Sequence, residues 1–167
     1  APGTDRLFVA EQAGKVFSIP NDPECETPDL LVDAKVLVEE LNKRLPKADR
    51  VKMGSVYGLT FHPDFANNRQ CFLCYVVGYQ TPNGRNPHPN GTRVVRLTVS
   101  KPGSSKPESK KTKPESKKTA PSVDVTSEVE IISWLEGGHN GGCIKFGKDG
   151  NLFVSTGDGG FAFPPDG

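Results

Sequence analysis

The fold is decided by a motif that occurs twice, at 59–64 (Leu-Thr-Phe-His-Pro-Asp) and at 144–149 (Ile-Lys-Phe-Gly-Lys-Asp). In each copy an apolar residue is followed by phenylalanine two places later and by aspartate three places after that. A turn and a short apolar stretch come next, at 71–75 and at 152–155, and 7–10 is a third copy of that stretch. Short apolar stretches that recur between turns predict one antiparallel unit repeated along the chain.

The strands that complete each unit can also be found. The N-terminal copy continues through a turn into 16–19, and the middle copy is followed by apolar stretches at 93–99 and 129–134. Four short antiparallel strands per unit are typical of a β-propeller blade. A two-sheet sandwich of about seven strands is the alternative for an all-β chain. The repeated Phe-x-x-Asp pattern favours the propeller.

Two segments interrupt the repeat. Leucines at helical spacing, ended by Pro46, predict a short amphipathic helix inserted over 36–46. The other segment, 101–122, contains Lys-Pro-Glu-Ser-Lys-Lys-Thr twice in tandem. Such a composition cannot bury enough apolar surface to offset its ordering entropy, so it predicts a disordered insertion. The insertion is expected to be a solvated spacer, with binding to an anionic partner as the alternative.

The composition excludes several classes of protein. Charged residues make up 25% of the 167 residues and the net charge is +1, so no nucleic-acid partner is expected. No apolar run approaches the roughly 20 residues of a membrane span. The first residues, Ala-Pro-Gly, are not a signal peptide. The chain is therefore expected to be a mature product or a piece of a longer one.

The four cysteines do not form a metal-binding pattern. Cys71 and Cys74 have C-x-x-C spacing, but they lie in a predicted strand and would point to opposite faces of its sheet. We expect Cys71, Cys74 and Cys143 to be buried as small hydrophobic residues. Cys25 lies in a polar loop and is either a free thiol or half of a disulfide.

The candidate site is formed by two glycine-rich stretches. His139 stands in 137–142 (Gly-Gly-His-Asn-Gly-Gly) and Asp158 in 155–160 (Ser-Thr-Gly-Asp-Gly-Gly). Glycine allows unusual backbone angles and close approach of a ligand, and an imidazole can accept a proton at neutral pH. In a propeller the connection before a blade's first strand and the loop after its second strand share a face. His139 and Asp158 are therefore expected on one face, with a simple turn-capping role for His139 as the alternative.

The same topology places the other polar residues. Gln12, Gly54 and the polar loop 78–92 are expected on the face of His139. His62 is expected on the opposite face, beside a proline in a turn, and His88 is expected to be solvated. The three histidines therefore cannot share a metal ion.

At three places the chain resembles a known family. The segments are 6–16 (Arg-Leu-Phe-Val-Ala-Glu-Gln-Ala-Gly-Lys-Val), 58–65 (Gly-Leu-Thr-Phe-His-Pro-Asp-Phe), and His-Asn-Gly-Gly, Phe-Gly-Lys-Asp-Gly and Ser-Thr-Gly-Asp-Gly-Gly within 139–160. They resemble the glucose/sorbosone dehydrogenase domain of soluble quinoprotein glucose dehydrogenases and aldose sugar dehydrogenases. The resemblance implies a six-bladed β-propeller. At roughly 40–50 residues per blade, residues 1–167 would be an N-terminal fragment of about two to three blades.

The resemblance also implies a chemistry. The family's enzymes use pyrroloquinoline quinone (PQQ) with Ca²⁺ to oxidise the C1 hydroxyl of an aldose or an alcohol. They pass electrons to an acceptor such as a cytochrome or a quinone, in the periplasm or outside the cell. His139 matches the general base that takes the hydroxyl proton while hydride passes to the quinone. Asp158 suits a Ca²⁺ ligand, or it accepts N–H bonds within its own turn.

The resemblance assigns further positions, and some depart from the family pattern. Asn140 and Gly159 match cofactor-binding positions, and Gln12, Gly54 and Gly138 belong to the substrate face. Soluble quinoprotein glucose dehydrogenase has an acidic residue where this chain has Gly138, and glutamines where it has Gly54 and Gly159. The glucose pocket is therefore not reproduced in this chain.

The glycine motifs also resemble those of Hedgehog-interacting proteins, whose propellers act as binding modules. The alternative to a dehydrogenase is therefore a non-catalytic propeller that recognises a protein or a glycan. On either hypothesis residues 1–167 alone are expected to be inactive, because about half of the ring would surround His139.

Overall fold

The computed structural model describes residues 1–81, 84–101 and 120–160. The chain is built mainly of antiparallel β-strands, as the repeat predicts. The strands are β1 Arg6–Ala10, β2 Lys15–Pro20, β3 Asp29–Asp33, β4 Val51–Phe61, β5 Gln70–Thr81, β6 Gly84–Asn86, β7 Thr92–Val99, β8 Val123–Trp134, β9 Gly141–Phe146 and β10 Leu152–Thr156. The helices are α1 Ala34–Arg44, α2 Phe65–Asn68 and a single 3₁₀ turn, Lys47–Asp49.

The strands form three separate sheets in chain order. β1, β2 and β3 make the first blade, β4, β5, β7 and β8 make the second blade, and β9 and β10 make the third. The short β6 pairs with the end of β5. Every paired neighbour is antiparallel, so the second blade is the four-stranded meander predicted for one repeat. The sheets pack in series, which excludes the two-sheet sandwich.

Two boundaries in the second blade differ from the prediction. Strand β8 begins at Val123 rather than at residue 129, and the polar loop 78–92 contains the end of β5 and all of β6. The Ser100 N–H donates to the Ser122 carbonyl oxygen at 2.7 Å, and the two hydroxyls lie 2.9 Å apart. Most of the predicted disordered insertion, 102–119, lies outside the described residues.

Helix α1 connects the first blade to the second. It begins after Asp33, whose Oδ1 accepts the Lys35 N–H at 2.9 Å, and it ends two residues before Pro46. The helix thus occupies residues 34–44, where the leucine spacing predicted 36–46. Its buried side includes Leu37, which has no exposed surface. No helix in the described residues has the length and apolar character that crossing a membrane requires.

The two faces of the second blade pack against different neighbours. One face packs with β2, β3 and α1 into a large apolar cluster, which we call the first seam. Its fully buried members include Val16, Leu37, Leu73, Tyr75, Val77, Val95, Leu97 and Val99. The other face meets the third blade through a smaller cluster, the second seam, whose buried members are Phe72, Cys74, Val94 and Ile144.

An ion pair reinforces the first seam. Glu128 of β8 accepts the Tyr75 hydroxyl at 2.7 Å and pairs with Arg44 at the end of α1 at 3.3 Å. Burial raises the pKa of Tyr75, and the Glu128 charge adds to the effect. Two strands and the helix are therefore held together by one carboxylate.

The positions of the cysteines test the prediction of which strand face each side chain occupies. Cys71 belongs to the first seam and Cys74 to the second, which confirms that they lie on opposite faces of β5. The prediction that Cys143 is buried is wrong. Strand β9 turns Ile144 toward the second blade, so its neighbour Cys143 points to the other, exposed side.

Candidate functional site

The two candidate residues meet at one end of the second seam. His139 lies just before β9 and Asp158 just after β10, and the His139 Nδ1 is 2.9 Å from the Asp158 Oδ1. About half of each side chain is exposed. The structure therefore brings together the pair that the sequence places on one face.

The pair is positioned by backbone contact between two glycine turns. The Gly159 N–H donates to the His139 carbonyl oxygen at 3.1 Å. A Cβ at Gly137 would lie 1.7 Å from the carbonyl oxygen of Gly159, and one at Gly157 would lie 2.0 Å from that of His139. No side chain fits at either position, so glycine is what allows the turns to approach this closely.

Asn140 fixes the first of these turns from inside. Its side chain is only 6% exposed, and its Oδ1 accepts the Gly137 N–H at 2.8 Å and the Thr92 hydroxyl at 3.0 Å. Its Nδ2 donates to the Gly137 carbonyl oxygen at 2.9 Å. Asn140 thus ties the turn to the first residue of β7. A cofactor contact by Asn140 stays a prediction.

A cleft of about 500 Å³ opens beside the pair. Its walls come from the inner strand β4, from the loop before β7, from the segment after β8 and from both glycine turns. The lining residues are Tyr57, Pro87, Leu135, Glu136, Gly137, Gly138, Asn140, Gly159 and Gly160. The predicted positions Gly138 and Gly159 therefore share one cavity wall next to His139.

The other two predicted substrate-face residues lie elsewhere. The Gln12 carbonyl oxygen accepts the Val56 N–H at 3.0 Å, close to an irregular stretch of β4 that contains Gly54. Neither Gln12 nor Gly54 lines the cleft as far as the described residues define it. Their contact with a substrate stays a prediction.

The described residues do not build a calcium site. Within residues 1–81, 84–101 and 120–160, no three His, Cys, Asp or Glu side chains come together to hold a metal ion. Asp158 Oδ1 faces the His139 ring and also accepts the Gly160 N–H at 3.3 Å. Calcium takes six to eight oxygen ligands, and one engaged carboxylate is far from that number.

The remaining histidines lie apart from the pair. The His62 ring is 5.3 Å from the ring of Phe146, and its Nδ1 accepts the Asp64 N–H in the turn after β4. His88, which was expected to be solvated, is partly exposed, and its ring lies 4.5 Å from that of Tyr79. Burial, with the nearby Arg93 charge, lowers the pKa of His88.

Four residues of the cleft were missed from the sequence: Tyr57, Pro87, Leu135 and Glu136. One sign was available for Leu135, because an apolar residue between the predicted strand 129–134 and the 137–142 turn has no place in the strand pattern. Tyr57 directly precedes the second resemblance segment, and nothing in its spacing indicates a cavity. Pro87 lies in a loop whose position depends on the folded blade.

Comparison with known proteins gives the family. The family described as Glucose / Sorbosone dehydrogenase matches residues 2–165. The chain belongs to the glucose/sorbosone dehydrogenase family. Among solved structures, it is similar to the PQQ-bound form of aldose sugar dehydrogenase from Streptomyces coelicolor, with a TM-score of 0.56 and 18% identity over 95% of this chain. That likeness confirms the propeller-type fold.

Two relatives of this chain are named for a binding function rather than for a dehydrogenase activity. The chain is 30% identical over 162 residues to the Hedgehog-interacting protein of Mus musculus, and 29% identical over 161 residues to that of Homo sapiens. Each match covers 94% of this chain and 19% of the relative. The chain spans about a fifth of these relatives' length and 36% of the solved aldose sugar dehydrogenase.

Proposed function

We propose that the protein is a PQQ-dependent dehydrogenase that oxidises the C1 hydroxyl of an aldose sugar or an alcohol. The His139–Asp158 pair is the observation that carries the proposal. It sits half-exposed at the edge of a cleft, in a family described as glucose/sorbosone dehydrogenases. A base in such a position is what removal of a hydroxyl proton requires.

Asp158 orients the ring of His139, the proposed base. When Asp158 accepts a hydrogen bond from the Nδ1–H group, the neutral His139 ring carries an unprotonated Nε2. A substrate hydroxyl that donates to Nε2 can transfer its proton there. Asp158 is a positioning residue in this arrangement, since it fixes the tautomer and stabilises the imidazolium that forms.

The fit of the cofactor to the described residues is partial. PQQ, when bound, supplies the two-electron acceptor. Gly159 and the turn held by Asn140 give it a wall without side chains, but none of the described residues that line the cleft is Lys or Arg. Cations for its carboxylates, and the oxygen ligands of a Ca²⁺ ion, would have to come from outside the described residues. An acceptor such as a cytochrome or a quinone, and a periplasmic or secreted location, belong to the same proposal.

One observation favours a second function, a non-catalytic module that binds a protein or a glycan. The relatives that are 29–30% identical over nearly the whole chain are named for interaction with Hedgehog. Glycine at positions 54, 138 and 159 removes a polar side chain at three positions where the resemblance to the glucose dehydrogenase places one. In that case the glycine turns form a contact surface, and His139 contributes affinity only.

The test uses the complete gene product that contains this chain, loaded with PQQ and Ca²⁺. Dye reduction is followed with a panel of aldoses and alcohols. His139→Ala is expected to lower kcat by about 10²–10⁴-fold, and Asp158→Asn by about tenfold with little change in KM. His62→Ala, which alters a histidine away from the cleft, is the matched control and should stay within about twofold.

The outcomes separate the two functions. Equal activity of His139→Ala and the native protein would remove His139 as the base. A native protein that binds no quinone and reduces no dye, while His139→Ala weakens binding to a protein or glycan partner, would establish the binding module instead.

A further inference from the structure

A small cavity lies where the first blade meets the second. Its volume is about 160 Å³. Asp5 and Arg6 line it at the start of β1, Arg69 lines it directly after α2, and Pro121 lines it from the segment before β8. It shares no lining residue with the cleft beside His139. The cavity is therefore separate from the residues to which dehydrogenase chemistry is assigned.

The charges around this cavity are only partly balanced. Among the described residues that line it, three are charged: Asp5, Arg6 and Arg69. Arg6 pairs with Asp29 and donates to the Ser18 hydroxyl at 2.9 Å. Asp5 and Arg69 take part in no ion pair within the described part of the chain. One negative and one positive group therefore remain for a ligand to pair with.

Arg69 is held in place with part of its hydrogen-bonding capacity unused. Its Nη2 donates to the Ser100 carbonyl oxygen at 3.1 Å, and its guanidinium carbon lies 4.2 Å from the centre of the Phe65 ring. The Arg69 Nε is buried and has no acceptor among the described residues. A buried donor without an acceptor is unfavourable, and guanidinium groups bind carboxylates through paired hydrogen bonds. Arg69 is therefore suited to a ligand carboxylate.

The remaining walls and the volume limit the ligand to a small molecule with an apolar part. Apart from Thr4, the other described lining residues are apolar: Phe8, Phe65 and Pro121. A cavity of about 150 Å³ holds a molecule of about six non-hydrogen atoms, such as benzene. The matching ligand is of that size and combines a carboxylate, an ammonium group and a short apolar side chain.

We propose that this cavity binds a free α-amino acid with a small side chain, and L-alanine has the matching size. Its carboxylate would pair with Arg69, its ammonium group with Asp5, and its methyl group would lie against Phe8 and Phe65. A zwitterion satisfies both charges together, whereas Asp5 would repel a simple anion and Arg69 would repel a simple cation. Binding at this cavity is independent of the activity proposed for His139.

The experiment compares three molecules of nearly equal size and shape. L-Alanine carries both charges, isobutyrate carries only the negative one, and L-alaninamide carries only the positive one at about pH 6.5. Saturation-transfer NMR of the complete gene product measures their dissociation constants. L-Alanine is expected to bind with a Kd of about 1 mM, because so small a ligand makes few contacts. Isobutyrate should bind about threefold and L-alaninamide about tenfold more weakly.

Two substitutions remove the charges of the cavity separately. Arg69→Asn should weaken L-alanine about tenfold without weakening L-alaninamide. Asparagine suits this position, because residue 69 has a left-handed backbone with φ of 57°. Asp5→Asn should weaken L-alanine about threefold without weakening isobutyrate, and its effect is smaller because Asp5 is exposed. Arg50→Asn, at an exposed arginine outside the cavity, is the control and should leave all three affinities unchanged.

The Asp5→Asn variant keeps the test decisive even if Arg69→Asn fails to fold, because it changes one exposed side chain to its neutral isostere. No binding of L-alanine, isobutyrate binding as tightly as L-alanine, or an unchanged L-alanine affinity in Asp5→Asn would each overturn the amino-acid site. Binding that follows both charges, in a protein that reduces no dye with PQQ, would keep this site and reject the dehydrogenase.

Discussion

The two faces of the second blade are held in different ways. In the first seam, side chains from five strands and from helices α1 and α2 interlock, and residues such as Leu37 and Leu73 lose all of their exposed surface. In the second seam four buried side chains meet within the described part of the chain, and beyond them the contact passes to glycine backbone. Packing of side chains supplies stability in the first case, and close backbone approach supplies position in the second.

The difference shows how a blade can support a site without large side chains. The His139–Asp158 pair needs two turns at a fixed separation, and the backbone contact of Gly137 with Gly159 sets that separation directly. Glycine is entropically costly to order, so this seam depends on the rigid sheet behind it. The stable first seam and the glycine-built second seam are therefore complementary parts of one arrangement.

The largest effect is expected in the first seam. Leu37→Ala in the complete gene product should lower the free energy of unfolding by about 3 kcal/mol, because it leaves a cavity under α1. Val36→Ala, at an exposed position on the same helix, should change it by less than about 0.5 kcal/mol. Urea denaturation followed by circular dichroism measures both. Similar losses from the two variants would mean that α1 is not part of the core.

The next effect probes the backbone contact of the second seam. Gly137→Ala should cost about 2 kcal/mol and weaken the His139–Asp158 contact, because its methyl group would collide with the Gly159 carbonyl. Gly138→Ala adds the same methyl group one residue later, where only a 3.5 Å contact exists, and should be nearly neutral. Thermal unfolding and the NMR shifts of the His139 ring compare the two. Equal stability would show that the turns are not in contact.

The smallest effect concerns the buried thiol of the second seam. Cys74→Ala should cost about 1 kcal/mol, because the side chain is fully buried beside Ile144. In a chain of residues 1–167, where the outer face of β9 is exposed, Cys143→Ala should cost almost nothing. Urea denaturation of Cys74→Ala and Cys143→Ala measures the two losses in the free energy of unfolding. A larger loss for Cys143→Ala would reverse the assignment of the faces of β9.

Thiol labelling compares the accessibility of Cys74 and Cys143 without any substitution. Burial raises the pKa of Cys74 to about 12, so at pH 8 only about one thiol in ten thousand is the reactive thiolate. In a folded chain of residues 1–167, iodoacetamide at pH 8 should therefore modify Cys143, and Cys74 only after denaturation. Peptide mass spectrometry locates the label. Rapid modification of native Cys74 would mean that the second seam opens.

Local patterns in the sequence were enough to predict much of the fold and of the candidate site. Strand parity put Cys71 and Cys74 on opposite faces, and the repeat put His139 and Asp158 at equivalent ends of neighbouring strands. Leucine spacing located α1 to within two residues at each end. These features depend on periodicity along a single strand or helix, which the sequence displays directly.

The features that were missed depend on contacts between distant segments. Cys143 is exposed because nothing in the described residues covers the outer face of β9, and no pattern within β9 shows that. The burial of Asn140 follows from its bond to Thr92, which is far away in sequence. The position of Tyr57 beside Leu135 likewise arises only when the two ends of the second blade are assembled.

The bonds between Ser100 and Ser122 have an evolutionary consequence. They bring the end of β7 next to the start of β8, so the chain leaves and re-enters the blade at one point. Between these serines, Lys-Pro-Glu-Ser-Lys-Lys-Thr occurs at 106–112 and again at 113–119, as tandem duplication would leave it. Doubling the length of chain between two fixed ends costs only about 0.6 kcal/mol of closure entropy. A change in the number of copies during evolution would therefore leave the hydrogen bonds between Ser100 and Ser122, and the strands that they join, in place.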